Sequence, residues 1–292
     1  GNLLDDYFDY QDELLDYRLG LREQGEQAFT DKYPYLKDGS TTVKQLKTAI
    51  AVFFGLAILG GVVICLVRHY FDWIMLAIAA LAAVLCYFYS APPLKLGFHG
   101  LGELVIGICF GPCLVCGVYE AACCGLYTLD GGFAWHILAL GIAIGMFVTN
   151  ILYTHSFVEH HVDEVSHKKT LAVVLKTDKA RLAAYAIFLF VPFILVVLCA
   201  ATHYIHPAYC FVLLMLPQAC WVMWSMVMFT RGVDVPTEHP HWWLGPMDNW
   251  DKVEPGNRYY LMRWFAMRNI NTGFCLILMI VKIVLYLKYF II

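Results

Sequence analysis

Long apolar runs alternate with short polar segments along most of the chain. A run of about 20 apolar residues is the length that crosses the hydrocarbon core of a bilayer as a helix. Seven runs of roughly this length are present, and they extend over Ala49–Val67, Trp73–Ala91, Leu101–Cys124, Phe133–Tyr153, Leu182–Ala201, Ala208–Phe229 and Thr272–Ile292. The pattern therefore predicts an all-α polytopic membrane helix bundle with seven transmembrane helices.

The basic residues are confined almost entirely to alternate loops between these runs. Of the 20 lysines and arginines, 17 lie on one side of the predicted membrane. Cytoplasmic loops carry an excess of Lys and Arg. We therefore expect four segments to be cytoplasmic: residues 1 to 45, the loops after Ala91 and Tyr153, and the long loop after Phe229. The polar segment 231–268 is expected to form a cytoplasmic cap or an interfacial helix.

The composition agrees with a membrane protein and argues against other classes. Only 15% of the residues are charged and 60% are hydrophobic, whereas a typical soluble domain has about 25% charged residues. The net charge of -3 gives no indication of a nucleic-acid partner. Cys109, Cys113 and Cys116 fall on one helical face, and packing between membrane helices is favoured over a thiol or metal site.

An acidic segment opens the chain. Its carboxylates recur at intervals of three and four residues, so a helix gathers them on one face; they are Asp5, Asp6, Asp9, Asp12, Glu13 and Asp16. Like charges at this spacing repel one another, and a bound cation would relieve that repulsion. Carboxylate oxygens suit Mg²⁺, which shares its remaining positions with water and phosphate oxygens. The alternative is an acidic face that is simply solvated.

A second acidic segment follows the fourth apolar run on the same predicted side. Glu159 and Asp163 are four residues apart, and Lys168 follows as a cation for an anionic group. Asn150 lies within the last turns of the run itself. Polar groups at membrane depth are costly and are therefore functional candidates.

A third polar element, YSAPPLKLGF, follows the second apolar run. Its prolines end the helix, and they place Tyr89 and Lys95 where a hydroxyl and an ammonium can meet a phosphate. Glu103 then enters an apolar run, where its charge requires a partner. The alternative is a structural turn with a lysine that reaches to the membrane surface.

Together these segments resemble the UbiA superfamily of intramembrane prenyltransferases, particularly the branch acting on 1,4-dihydroxy-2-naphthoate in menaquinone synthesis. The resemblance covers nearly the whole chain, with NLLDDYFDY as the first acidic motif, EHHVD as the second and YSAPPLKL as the basic loop. It implies Mg²⁺-assisted transfer of an isoprenyl chain from a polyprenyl diphosphate to an aromatic acceptor, in a bacterial-type inner membrane. The implied site residues are Asp5, Asp9, Glu13, Glu159 and Asp163 for metal, Asp9, Asp163 and Lys95 for catalysis, and Asp5, Asp6, Tyr89, Lys95, Asn150 and Lys168 for substrate.

Some positions depart from the family pattern. Glu159 replaces an Asp, His161 replaces a middle acid, and His167 replaces a Gly. The family has nine helices, so the seven runs imply one prenyltransferase domain over 1–292 whose first two helices lie upstream. Residues 1 to 292 alone are accordingly expected to be inactive.

Two other functions fit parts of the sequence. His155, His160 and His161 resemble part of the histidine box of a membrane di-iron oxygenase, and iron content would reveal it. A transporter would use acidic residues along a pore, but here the acids cluster at the predicted cytoplasmic mouth. The prenyltransferase hypothesis has a sharper geometric requirement: Asp9 and Asp163 must face one cavity, since two Mg²⁺ and a diphosphate span roughly 10 Å.

Overall fold

The computed structural model describes residues 2–11, 16, 19–20, 23, 33–69, 71–123, 125–127, 132–166 and 168–291, with side chains through residue 288. Within these ranges the chain is all-α, with isolated bridges at His99–Lys169 and Tyr127–Phe133. In chain order, the helices are α1 (Asn2–Gln11), α2 (Pro34–Lys37), α3 (Val43–Arg68), α4 (Trp73–Ser90), α5 (Gly102–Cys123), α6 (Trp135–Val158), α7 (His160–Val165), α8 (Leu171–Val174), α9 (Asp178–Ala201), α10 (Pro207–Thr230) and α11 (Pro255–Ile291). Short 3₁₀ turns occur at Leu96–Phe98, Trp242–Leu244 and Trp250–Lys252.

Seven of these helices are long and apolar enough to cross a membrane: α3, α4, α5, α6, α9, α10 and α11. The prediction of seven spans in an all-α bundle is confirmed, and the chain is an integral membrane protein. Each span runs in the opposite direction to the span before it in the chain, so α4, α6 and α10 end on the side where α1 lies. We call this side the acidic end and the opposite side the far end.

Local sequence explains where several spans begin. Thr42 and Gln45 form a reciprocal capping box at the start of α3, which satisfies backbone donors that a helix leaves unpaired. Asp72 caps α4 by accepting from the Met75 N–H at 2.9 Å, and it also pairs with Arg68 at 2.7 Å. The α3–α4 turn is therefore fixed at the far end.

Helices α5 and α6 approach one another through glycines. A Cβ on Gly111 would lie 2.4 Å from the Gly145 Cα, and a Cβ on Gly145 would lie 2.4 Å from the Gly107 carbonyl oxygen. Small residues allow such close backbone contact between membrane helices. At this contact α5 contains a π-helical turn, Cys109–Cys113, around Pro112. The crossing fixes the ends of both helices, where acidic residues lie.

Helix α11 begins much earlier than its apolar run. It starts at Pro255, whereas the hydropathy pattern begins the seventh span at Thr272. Beyond Glu254 the segment 231–268 is therefore the buried start of that helix, and neither a cap nor a separate interfacial helix. The polar residues in the early turns have internal partners. Arg263 donates to the Ser225 carbonyl at 3.2 Å, and Asn269 donates to the Leu244 carbonyl at 2.9 Å. These bonds let a polar sequence pack as a buried helix.

Candidate functional site

The first acidic segment lies on α1, which packs against α3 and α4 at the acidic end. Asp9 is buried, with only 1% of its surface exposed. Asp5 accepts a hydrogen bond from the Ser90 hydroxyl at 2.5 Å, and Asp6 accepts one from the Tyr35 hydroxyl. Burial, followed by the contact with Asp6, raises the pKa of Tyr35, so this phenol stays a donor. These contacts tie α1 to the end of α4.

The second acidic segment lies where α6 ends and α7 begins. Glu159 and Asp163 are both buried, at 2% exposed. The Glu159 carboxylate lies 3.3 Å from Nε2 of His155, one turn earlier on α6. The Asp163 carbonyl accepts from the Lys168 N–H at 2.9 Å, and this bond turns the chain back toward the basic loop.

The basic loop and the residues after Asp163 form one layer. The ammonium groups of Lys95 and Lys168 lie 5.5 and 5.3 Å from the centre of the same Phe98 ring. His99 forms a parallel bridge with Lys169. An aromatic face attracts cations, and two cations held at one ring concentrate positive charge beside the acidic segments.

Tyr89 joins the three segments. Its side chain lies within electrostatic range of four carboxylates, those of Asp5, Glu103, Asp9 and Asp163. A small cavity of about 30 Å³ opens beside it, and Glu103, Asp163 and Lys168 are among its lining residues. Side chains from both acidic segments and the basic loop therefore share one region, although about 150 residues of sequence separate the acids.

Two residues of this region were not predicted as site residues. Glu103 is buried and accepts from the Leu171 N–H through both carboxylate oxygens, at 3.2 and 3.3 Å. His155 lines the same cavity and contacts Glu159. The signal for Glu103 was a lone acid inside an apolar run. For His155 it was the four-residue spacing to Glu159.

Asn150 lies deeper in the bundle, five residues before His155 on α6. It is fully buried, and its amide nitrogen donates to the Met267 sulfur on α11 at 3.4 Å. Its Oδ1 accepts no hydrogen bond from any described residue. The structure thus places Asn150 between α6 and α11, and it is not among the residues that line the small cavity.

The donor set around Tyr89 is suited to a hard cation. Carboxylate oxygens are its main ligands, and Mg²⁺ in proteins is commonly held by one or two carboxylates plus substrate phosphates. The described residues contain no group of three or more His, Cys, Asp or Glu that would hold a metal by itself. Glu13 and Asp12 lie outside the described residues, as does His167.

Comparison with known proteins identifies the family to which the chain belongs. The profile of the UbiA prenyltransferase family matches residues 29–236, a range that contains the basic loop and the second acidic segment and begins after the first. The chain is 33% identical over 106 residues to a 2-carboxy-1,4-naphthoquinone phytyltransferase of Synechocystis sp., covering 36% of this chain and 32% of that protein. It is 27% identical over 141 residues to a 1,4-dihydroxy-2-naphthoate octaprenyltransferase of Mycobacterium tuberculosis, covering 48% and 45%. The matches thus span from a third to just under half of these relatives. No solved structure matches significantly.

Proposed function

Because the chain belongs to the UbiA prenyltransferase family, we propose that it transfers an isoprenyl chain from a polyprenyl diphosphate to an aromatic acceptor within the membrane. The activities named for the two relatives support an acceptor like 1,4-dihydroxy-2-naphthoate. The excess of Lys and Arg in the acidic-end loops supports a cytoplasmic location for that end, in a bacterial-type inner membrane.

The observation that carries the proposal is the meeting of both acidic segments and the basic loop at Tyr89. Asp5, Asp9 and Asp163, which lie within electrostatic range of Tyr89, are proposed to hold Mg²⁺ together with Glu159, which lies beside His155, and Glu13 is added by the family resemblance. When bound, the cation neutralises charge on the diphosphate leaving group.

The remaining polar groups bind and orient the substrates. Lys95 and Lys168, fixed at the Phe98 ring, attract the diphosphate. Tyr89 donates a hydrogen bond to a phosphate oxygen, and Asp6 holds α1 in place through Tyr35. Asn150 is proposed to accept a hydrogen bond from the aromatic acceptor, because its buried Oδ1 receives none from the described residues. The apolar helices around Asn150 keep water from the isoprenyl carbon that is bonded to the diphosphate.

The test is Asp163→Asn in the membrane-reconstituted full-length protein, with prenylated product measured by mass spectrometry. We expect a loss of about 100- to 1,000-fold in turnover, the effect of removing one preorganised electrostatic group. The control is Glu164→Gln, which removes an exposed acid one residue away and leaves turnover within about twofold, as surface changes usually do.

Folding must be measured alongside activity. Asp163→Asn removes one of several neighbouring like charges, so its thermal stability without metal should equal or exceed that of the unchanged protein. Equal turnover of the two variants, or undiminished turnover in excess EDTA, would contradict the proposal.

A further inference from the structure

A second cavity lies at the far end of the bundle, away from both acidic segments. Its volume is about 680 Å³, which is within the range of small-molecule sites, about 300 to 1,000 Å³. Helices α6, α9 and α11 and the segment that leads into α10 form its walls. We call it the far-end groove; the lining residues used below are His136, Leu140, Leu195, His206, Leu278 and Lys282.

The groove has a polar level at Lys282, is apolar one helical turn deeper, and is lined by Leu285 and Tyr286 one turn further out. On three helices, lining residues four positions apart change from polar or thiol to leucine; the pairs are His136 and Leu140, Cys199 and Leu195, and Lys282 and Leu278. Residues four apart lie on one helix face. Trp135, which is 60% exposed at the start of α6, marks the depth of the membrane interface. The groove therefore runs from headgroup depth toward the hydrocarbon core.

The polar level of the groove contains a lysine and two histidines and no acidic side chain among its described lining residues. Lys282 lies inside the last span, where a charged group is costly unless it reaches an anion or the interface. His136 is within electrostatic range of it. His206 uses Nδ1 to accept from the Ala208 N–H at 3.1 Å, so its Nε2 carries the hydrogen and is a donor.

We propose that the far-end groove binds one anionic phospholipid from the adjacent leaflet. Its phosphate lies at Lys282, and one acyl chain follows Leu140, Leu195 and Leu278. A phospholipid combines a negative headgroup with an apolar chain, which matches the order of charge and apolar surface in the groove. The inference is independent of prenyl transfer, since it uses other residues at the other end of the bundle.

The test is native mass spectrometry of the full chain released from bilayers that contain phosphatidylglycerol or phosphatidylcholine. We expect one retained phosphatidylglycerol per chain and preference over phosphatidylcholine. Lys282→Gln should weaken retention about fivefold, the effect of one lysine charge near a membrane surface, while Lys282→Arg keeps it. Lys288→Gln is the matched control, because Lys288 is on the same helix outside the groove.

A second variant addresses the apolar part. Ala139→Phe places a phenyl ring in the groove and leaves Lys282 in place. It should reduce the retention of both lipids. Equal retention by Lys282→Gln and Lys288→Gln would overturn the proposal. So would displacement of the lipid by an isoprenyl diphosphate, which would assign the groove to the tail of that molecule, or stabilisation by inorganic phosphate alone, which would assign it to a free anion.

Discussion

The contact between α5 and α6 offers the most direct test of how the fold holds the acidic end. Gly111→Ala adds one methyl group where the two backbones meet. The new Cβ would lie 2.4 Å from the Gly145 Cα and 2.5 Å from the Gly141 carbonyl oxygen. Carbon atoms in favourable contact are about 3.5 to 4.0 Å apart, so the helices must separate by about 1 Å. Backbone atoms cannot rotate away as a side chain can.

The expected cost follows from two opposing effects. Inserting a methyl group into a packed contact costs about 1 to 3 kcal/mol. Alanine is favoured over glycine within a helix by up to about 1 kcal/mol, which offsets part of that cost. We therefore expect a net destabilisation of about 1 to 2 kcal/mol, or a Tm about 2 to 3 °C lower for a chain of this size.

The assay is thermal unfolding in detergent, with Gly117→Ala as the matched control. Gly117 is also on α5, but a Cβ there would meet only the Ile78 Cγ2, at 3.3 Å. That side chain can move, so the control should be as stable as the unchanged protein or slightly more stable. If Gly111→Ala unfolds at the same temperature as Gly117→Ala, the close approach of α5 and α6 is wrong, together with the placement of Glu103 that depends on it.

The two remaining predictions concern the basic layer and the thiols. Lys168→Gln should raise the KM for the isoprenyl diphosphate about tenfold, the effect of losing one charge-assisted hydrogen bond. Lys169→Gln, which changes an exposed neighbour, should leave the KM within about twofold. Equal effects of the two variants would show that only net charge matters. A mild oxidant should join Cys86 to Cys109, whose sulfurs are 4.0 Å apart across α4 and α5, and peptide mapping that finds a different pairing would contradict the packing of these helices.

The membrane spans could be predicted from sequence because their signal is local. A helix facing lipid must be apolar where it crosses the hydrocarbon core, as α3 is in its most apolar window, which has no buried residue. The start of α11 could not be found in this way. Arg263 and Asn269 appear in the sequence as loop residues. Hydrogen bonds to backbone carbonyls, including those of Ser225 and Leu244, make them compatible with a buried helix.

The candidate site, like the fold, was predictable where its signal is local in sequence. The spacing of Asp5 and Asp9, and that of Glu159 and Asp163, indicates helix faces rich in carboxylates without any tertiary information. The role of Glu103 depends on Leu171, which is distant in sequence. No local pattern could show that an acid in an apolar run accepts from a backbone N–H beyond the second acidic segment.

The hydrogen bonds around the carboxylates suggest how the site is arranged before substrate arrives. Asp5 is held by Ser90, Glu103 by the Leu171 N–H, and Glu159 lies against His155. Each donor comes from a different part of the chain than the other two. A carboxylate with a fixed donor keeps its orientation, and preorganised groups need little rearrangement when charge develops. Repulsion among the acids is therefore opposed by local partners. In the proposed reaction, the energy of diphosphate binding then remains available for transfer.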